Sequence, residues 1–238
     1  MDETPCYKRV VLKLSGEALK GEHSSGISET IIHDIAAQIK QVHALGVEIA
    51  VVIGGGNFFR GGRGNNFGIE RAPADYMGML ATIMNGIALQ GVFEKKGLQT
   101  RLVSALEIKT IAEPFVRRRV LGHLEKGRIV IFSGGTGNPF FTTDTAAALR
   151  AIEIDADVLL KATMVDGIYT DDPKKVKGLE KFDHISYSDV LTQDLKVMDS
   201  TAVALCRENN LHIKIFNITK KGNILKVITQ KDMGSLIS

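Results

Sequence analysis

The chain has 238 residues, 44% of them hydrophobic and 24% charged, an ordinary globular composition at the upper end of single-domain length. Its formal charge of +3, without a basic stripe, gives no ground for a nucleic-acid partner, and its two cysteines, Cys6 and Cys206, lack metal-ligand spacing and imply no disulfide framework. No apolar run approaches the roughly 18 residues of a membrane helix, and the acidic start Met1-Asp2-Glu3-Thr4-Pro5 lacks a signal peptide's apolar centre, so a cytoplasmic setting is expected, with no membrane partner.

In chain order, alternating Val10, Leu12 and Leu14 predict a strand over 7–14, closed by the glycine turn Ser15-Gly16-Glu17. Ser28 is a predicted N-cap for a helix to about residue 45, with Ile31, Ile32, Ile35, Ile39 and Val42 on one face. Gly46 ends it, and 47–53 reads as a strand buried on both faces. A second glycine turn, Gly54-Gly55-Gly56-Asn57, leads through Arg60 into a polar loop and then a long helix over 73–96. Met77, Leu80, Ile83, Met84 and Ile87 are its expected buried stripe, with Gly91 as a close packing point. A strand at 100–103, a helix at 114–125 carrying Arg117, Arg118 and Arg119, and a strand at 128–132 follow. An alanine-rich helix is expected from Thr145 to about 154, a strand at 157–161, and a helix capped by Asp199 to about 209. The last elements are a strand at 213–217, a helix at 223–228 and a strand at 235–237. Strands alternating with helices throughout predict one domain, a mainly parallel sheet between two helical layers.

Between the strand at 128–132 and its helix lies Gly135-Thr136-Gly137-Asn138-Pro139-Phe140-Phe141-Thr142-Thr143-Asp144. Glycines let backbone N–H groups approach an anion, and a helix start offers unpaired donors to phosphate. Ligand crevices in such sheets lie at the carboxyl ends of strands, so the three glycine turns should converge. Three such turns suit phosphoryl transfer between two phosphate-bearing molecules. Neither the Walker pattern nor Gly-x-Gly-x-x-Gly occurs, which excludes a P-loop kinase and a fingerprint dinucleotide fold. Lys13, an unusual lysine inside a strand, is the candidate cation for a migrating phosphoryl group, and Arg60 could bind phosphate bidentately. Asp75 offers dipole compensation or an acceptor for ribose hydroxyls; Asp144 either caps its helix or orients Lys13 and a metal's water shell. Lys161 is a second strand lysine.

Lys13-Leu14-Ser15-Gly16-Glu17-Ala18-Leu19, the second glycine turn through Arg60-Gly61, and Asp75-Tyr76-Met77-Gly78-Met79-Leu80-Ala81-Thr82 resemble the bacterial UMP kinases of the amino acid kinase family. So do the third glycine loop, Lys161-Ala162-Thr163, Val165-Asp166-Gly167 and Lys196-Val197-Met198-Asp199, in the same order over nearly the whole chain. The resemblance implies the amino acid kinase fold, an α/β three-layer αβα sandwich, with an N-terminal lobe (about 1–155) for UMP and a C-terminal lobe (about 156–238) for ATP. It implies catalytic roles for Lys13, Arg60 and Asp144. ATP would meet Lys13, Leu14, Ser15, Gly16, Gly56, Arg60, Thr163, Tyr169 and Asp172. UMP would meet Gly55, Asp75, Thr136, Gly137, Asn138, Pro139, Phe140, Phe141, Thr142 and Thr143. Magnesium would arrive with ATP, with no dedicated protein metal site. The resemblance further implies a homo-oligomer, a hexamer, inhibited by UTP and activated by GTP, with Gly21, Glu22, His23, Ser24, Ser25 and Gly26 as regulatory loop. Two rival readings remain: a kinase of the same family acting on a carboxylate or carbamate, and a uridine-nucleotide sensor without turnover.

Overall fold

The computed structural model describes residues 4–59, 68–171, 173, 175, 176 and 178–238. Arg60, Gly61 and Asp172 lie outside these residues.

A nine-stranded sheet runs in the order β4-β3-β5-β2-β1-β6-β8-β9-β7. Its strands are β1 (Arg9–Leu14), β2 (Glu48–Ile53), β3 (Thr100–Ser104), β4 (Glu113–Pro114), β5 (Ile129–Ser133), β6 (Val158–Thr163), β7 (His184–Ile185), β8 (Ile213–Asn217) and β9 (Ser235–Ile237). Every pairing is parallel except β8 with β9. The helices are α1 (Gly16–Leu19), α2 (Glu29–Ala44), α3 (Arg71–Lys95), α4 (Arg117–Leu124), α5 (Thr143–Glu153), α6 (Tyr187–Thr192), α7 (Ser200–Glu208) and α8 (Asn223–Thr229).

Successive strand side chains point to opposite faces, and β1 shows the consequence. Val10, Leu12 and Leu14 join a core under α2, α3 and α8, built with Ile35, Ile39, Leu89, Phe93 and Val227. Val11 joins the opposite core under α4, α5 and α7, with Val120, Ala147, Ala151 and Val203. Both layers are therefore filled, as the near-continuous apolar strands anticipate. Lys13 shares the parity of Val11 and faces α5. In the sheet it is paired in register with Lys161 of β6.

Several local expectations need correction. Residues 15–17 are not a free turn: Ser15 caps α1, its hydroxyl accepting from the Ala18 N–H at 3.2 Å. Pro114 belongs to edge strand β4, so α4 starts three residues later, in keeping with proline's tolerance at edges. β7 and α6 were not anticipated; two strand residues and a six-residue helix leave too little periodicity to read.

Helix α3 holds the largest surprise. Of the expected buried stripe only Ile83 is buried; Met77, Leu80, Met84 and Ile87 are 40–52% exposed. Its inner face uses small and polar residues instead, among them Ala74, Thr82, Asn85 and Gly86. Close approach to the sheet is the reason: a Cβ on Gly86 would stand 2.5 Å from Leu102 Cδ1 of β3, whereas one on Gly91 would meet nothing within 4 Å. Gly86, not Gly91, is the packing glycine. By length and composition α3 is also apolar enough to cross a bilayer, contrary to the sequence expectation, although here its inner side packs on the sheet.

Candidate active site

The chain leaves β1 and pairs with β2 on one side and, much later, β6 on the other. Strand order thus reverses at the carboxyl end of β1, where doubly wound sheets bind ligands. The three glycine turns do meet there, around a cavity of about 340 Å³ lined by Lys13, Gly16, Gly55, Arg71, Asp75 and Thr136, among others.

The turns interlock through the absence of side chains. A Cβ on Gly16 would lie 2.6 Å from both the Gly56 nitrogen and Asn57 Oδ1, so the first and second turns touch backbone to backbone. The Gly54 N–H donates to Leu14 O at 2.9 Å, holding the second turn against the end of β1. A Cβ on Gly55 would lie 2.5 Å from Gly78 O and 2.8 Å from Ala81 Cβ of α3, contacts that no side-chain rotation relieves. Gly55→Ala is accordingly expected to push the turn off α3 and lower kcat about tenfold, the scale of effect when reacting groups are displaced by less than 1 Å; steady-state kinetics on a variant with a normal melting profile checks it.

In the third turn Gly134, Gly135 and Gly137 have φ of 77°, 59° and 82°, left-handed values that favour glycine. The Gly134 N–H donates to Thr82 Oγ1 at 2.7 Å. Further along, the Phe140 N–H donates to Asp75 Oδ2 at 2.8 Å. Thr142 caps α5, accepting from the Asp144 and Thr145 N–H groups at 3.0 and 3.4 Å. The helix therefore begins two residues before Thr145, and Asp144 is free of capping duty.

Asp144 instead lies between the two strand lysines. Its Oδ2 accepts from Lys161 Nζ at 2.6 Å, and its Oδ1 stands 2.7 Å from Lys13 Nζ in a second ion pair. Burial raises the Asp144 pKa, but the two ammonium charges outweigh it and hold the carboxyl below its ordinary value. Burial lowers the Lys161 pKa, reinforced by Lys13 and opposed by Asp144. The Asp199 carboxylate also favours the charged form of Lys161, and Lys13 reaches the cavity wall. Lys161 also donates to Val197 O. Val197 lines a second hollow of about 490 Å³ with Val165, Gly167, Tyr169 and Lys196, so the charge cluster bridges the two.

The remaining candidates fall as follows. Lys13, Ser15, Gly16, Gly55, Gly56, Asp75, Thr136, Phe141, Thr142 and Thr143 line the first cavity. Leu14 is buried in β1, its carbonyl engaged by Gly54. Gly137, Asn138, Pro139 and Phe140 form the outer part of the loop, with Phe140 68% exposed. Tyr169 is on the second hollow, its hydroxyl donating to Asp166 Oδ1 at 2.8 Å. The Thr163 hydroxyl is spent on Val165 O and Phe216 O at 2.6 and 3.2 Å and does not line either hollow. Asp199 caps α7 through Ala202 N–H at 2.8 Å and also receives Thr145 Oγ1 at 2.9 Å, tying α7 to the start of α5. The 21–26 loop lies beside the second turn, with the Gly26 N–H donating to Asn57 O at 3.2 Å.

Sequence reasoning missed Arg71. Its Nε donates to Asp75 Oδ1 and Oδ2 at 2.9 and 2.8 Å, and its guanidinium stands 5.9 Å from the Phe140 ring centroid. The i,i+4 spacing from Asp75 was the available signal.

A switch-point cavity walled by glycine turns, with a buried strand lysine at its floor, defines a phosphate-handling α/β enzyme class. The chain belongs to the amino acid kinase family, whose model matches residues 8–217. Among solved structures it is similar to the UMP kinase from Bacillus anthracis, with 40% identity, TM-score 0.94, and 98% of this chain and 96% of that one covered. A UMP kinase from Ureaplasma parvum matches with 38% identity and TM-score 0.92 over 97% of this chain and 98% of that one. The uridylate kinase from Archaeoglobus fulgidus matches at 26% identity and TM-score 0.75, over 96% and 99%.

Proposed function

We propose that this chain transfers the γ-phosphoryl group of ATP to UMP, giving UDP and ADP. The observation that carries the reading is the convergence of three glycine turns on a cavity whose wall includes Lys13, in a chain 40% identical over nearly its full length to a UMP kinase. The 1–155 lobe takes UMP in the first cavity, with Asp75 and the 136–143 loop as its contacts; the 156–238 lobe takes the adenosine part in the Tyr169 hollow. One continuous sheet spans both lobes.

A phosphate monoester loses its second proton near pH 6, so the attacking oxygen is ionised at neutral pH and needs no general base. Lys13 neutralises charge on the migrating group, Asp144 aims Lys13, and turn N–H groups orient the phosphates. Arg60 is assigned to the same phosphates on sequence alone. Among the described residues no group of three His, Cys, Asp or Glu side chains is placed to hold a metal, and both Asp144 oxygens face lysines. Magnesium carried by the nucleotide phosphates and water would, when bound, neutralise phosphate oxygens. UTP shares the uridine of UMP and inhibits by taking the same cavity, whereas GTP activates through the 21–26 loop. Two unpaired cysteines accord with a cytoplasmic setting.

The outer stripe Met77, Leu80, Met84 and Ile87 is the face for self-association toward a hexamer, because one helix stripe serves both copies of a two-fold contact. Leu80→Glu combined with Met84→Glu is expected to reduce the molar mass in light scattering to a smaller assembly. An unchanged mass would remove this face from the oligomer.

Coupled ADP release measured with UMP, CMP, AMP, acetylglutamate and carbamate tests the activity. Turnover confined to UMP is expected. Preference for acetylglutamate or carbamate would establish the rival kinase reading, and tight UMP binding without ADP release the sensor.

A further inference from the structure

Two side-chain amides behind the cavity form a closed pair that contacts neither hollow. Asn85 is fully buried on α3 and Asn57, 3% exposed, follows the second glycine turn. Asn57 Nδ2 donates to Asn85 Oδ1 at 2.9 Å and Asn85 Nδ2 returns the bond to Asn57 Oδ1 at 2.7 Å. Each amide nitrogen spends its second proton on a backbone carbonyl: Asn85 on Gly54 O at 2.7 Å, Asn57 on Gly26 O at 2.9 Å. All four amide protons are satisfied, which makes the pair stiff and the loss of one partner costly. The pair clamps the second turn from behind, while the interlock with Gly16 carries that position to the first turn and the end of β1.

We infer that Asn85 is a positioning residue for phosphoryl transfer, fixing the Gly54-Gly55-Gly56 backbone relative to Lys13 without touching substrate. This rests on the kinase reading, because the turn's N–H groups matter through the phosphates they orient. It also gives the two faces of α3 a shared consequence. Asn85 and the exposed Met84 are neighbours on the helix, so a partner pressed on the outer face bears on the element that holds the turn.

The test is Asn85→Leu, which removes both donors and the acceptor with the same number of side-chain heavy atoms in a bulkier, non-planar shape, alongside Asn85→Ser, which keeps a hydroxyl in a smaller side chain and serves if the leucine variant fails to fold. In folded variant, kcat for ADP release is expected to fall about tenfold with leucine and less with serine, while the KM for UMP moves less than threefold. Hydrogen exchange supplies a readout independent of activity: the peptide spanning 54–58 should exchange at least tenfold faster, with 48–53 unchanged. A folded variant with wild-type kcat and wild-type exchange over 54–58 overturns the inference. If the wild-type chain fails to phosphorylate UMP, the kinase reading falls, and the exchange result still decides whether Asn85 holds the turn.

Discussion

Lys13→Met is expected to lower kcat a hundredfold or more, with a near-normal KM for UMP. Removing one preorganised donor to a charge that develops in the transition state costs about 2.7–4 kcal/mol. Lys13 is suited to deliver that much: its side chain is 9% exposed, so its charge acts in a poorly screened setting. Methionine matches the length and apolarity of the lysine stem, and Asp144 keeps Lys161 as a partner at 2.6 Å, so the carboxylate is not left uncompensated and the fold should survive. Rates measured on material with an intact melting transition decide it; near-normal turnover removes Lys13 from the chemistry.

Asp144→Ala should act on stability as well as rate. It leaves two ammonium groups, 9% and 12% exposed, at register-paired positions on adjacent strands. Breaking a buried ion pair from one side costs about 3–5 kcal/mol, and with roughly 2–4 °C per kcal/mol for a chain of this size the melting temperature should drop on the order of 10 °C. The pH dependence carries a sign. The Asp144 pKa in the folded protein lies below its ordinary value, so the pair's contribution is complete above the unfolded carboxyl's pKa of about 3.9 and is lost as pH falls through the lower folded value. The wild-type advantage should therefore hold between about pH 5 and 8 and shrink only in strong acid. Calorimetry of both proteins across that range tests it; equal melting temperatures at neutral pH refute the buried-triad account.

Much of the architecture was legible because its signals are local. The β8 and β9 bounds, the capping of α7 by Asp199 and the alternation of β1 follow from periodicity and capping chemistry. The convergence of the glycine turns was also foreseeable, since parallel sheets gather their ligand loops at one edge. What periodicity could not rank was the two sides of α3, where both are apolar. A search for large side chains selects the exposed stripe, whereas the sheet contact demands small ones such as Gly86. Thr82 and Asn85 escaped for a related reason: polar residues on a long helix read as solvated until the third dimension buries them, whereas Arg71 is indeed exposed and is drawn to the site through Asp75.

The register of β1 against β6 has a consequence for motion. Lys13 and Lys161 are neighbours because the central strands are paired, not because a loop has closed over a ligand. Register fixes the separation of their backbones, and the central strands of a core open at free energies close to that of global unfolding. The exposed 135–142 segment, which carries Phe140 and Phe141, can move without disturbing that register. The backbone amides of residues 13 and 161 should accordingly rank with the slowest to exchange, in the resting enzyme and during turnover alike.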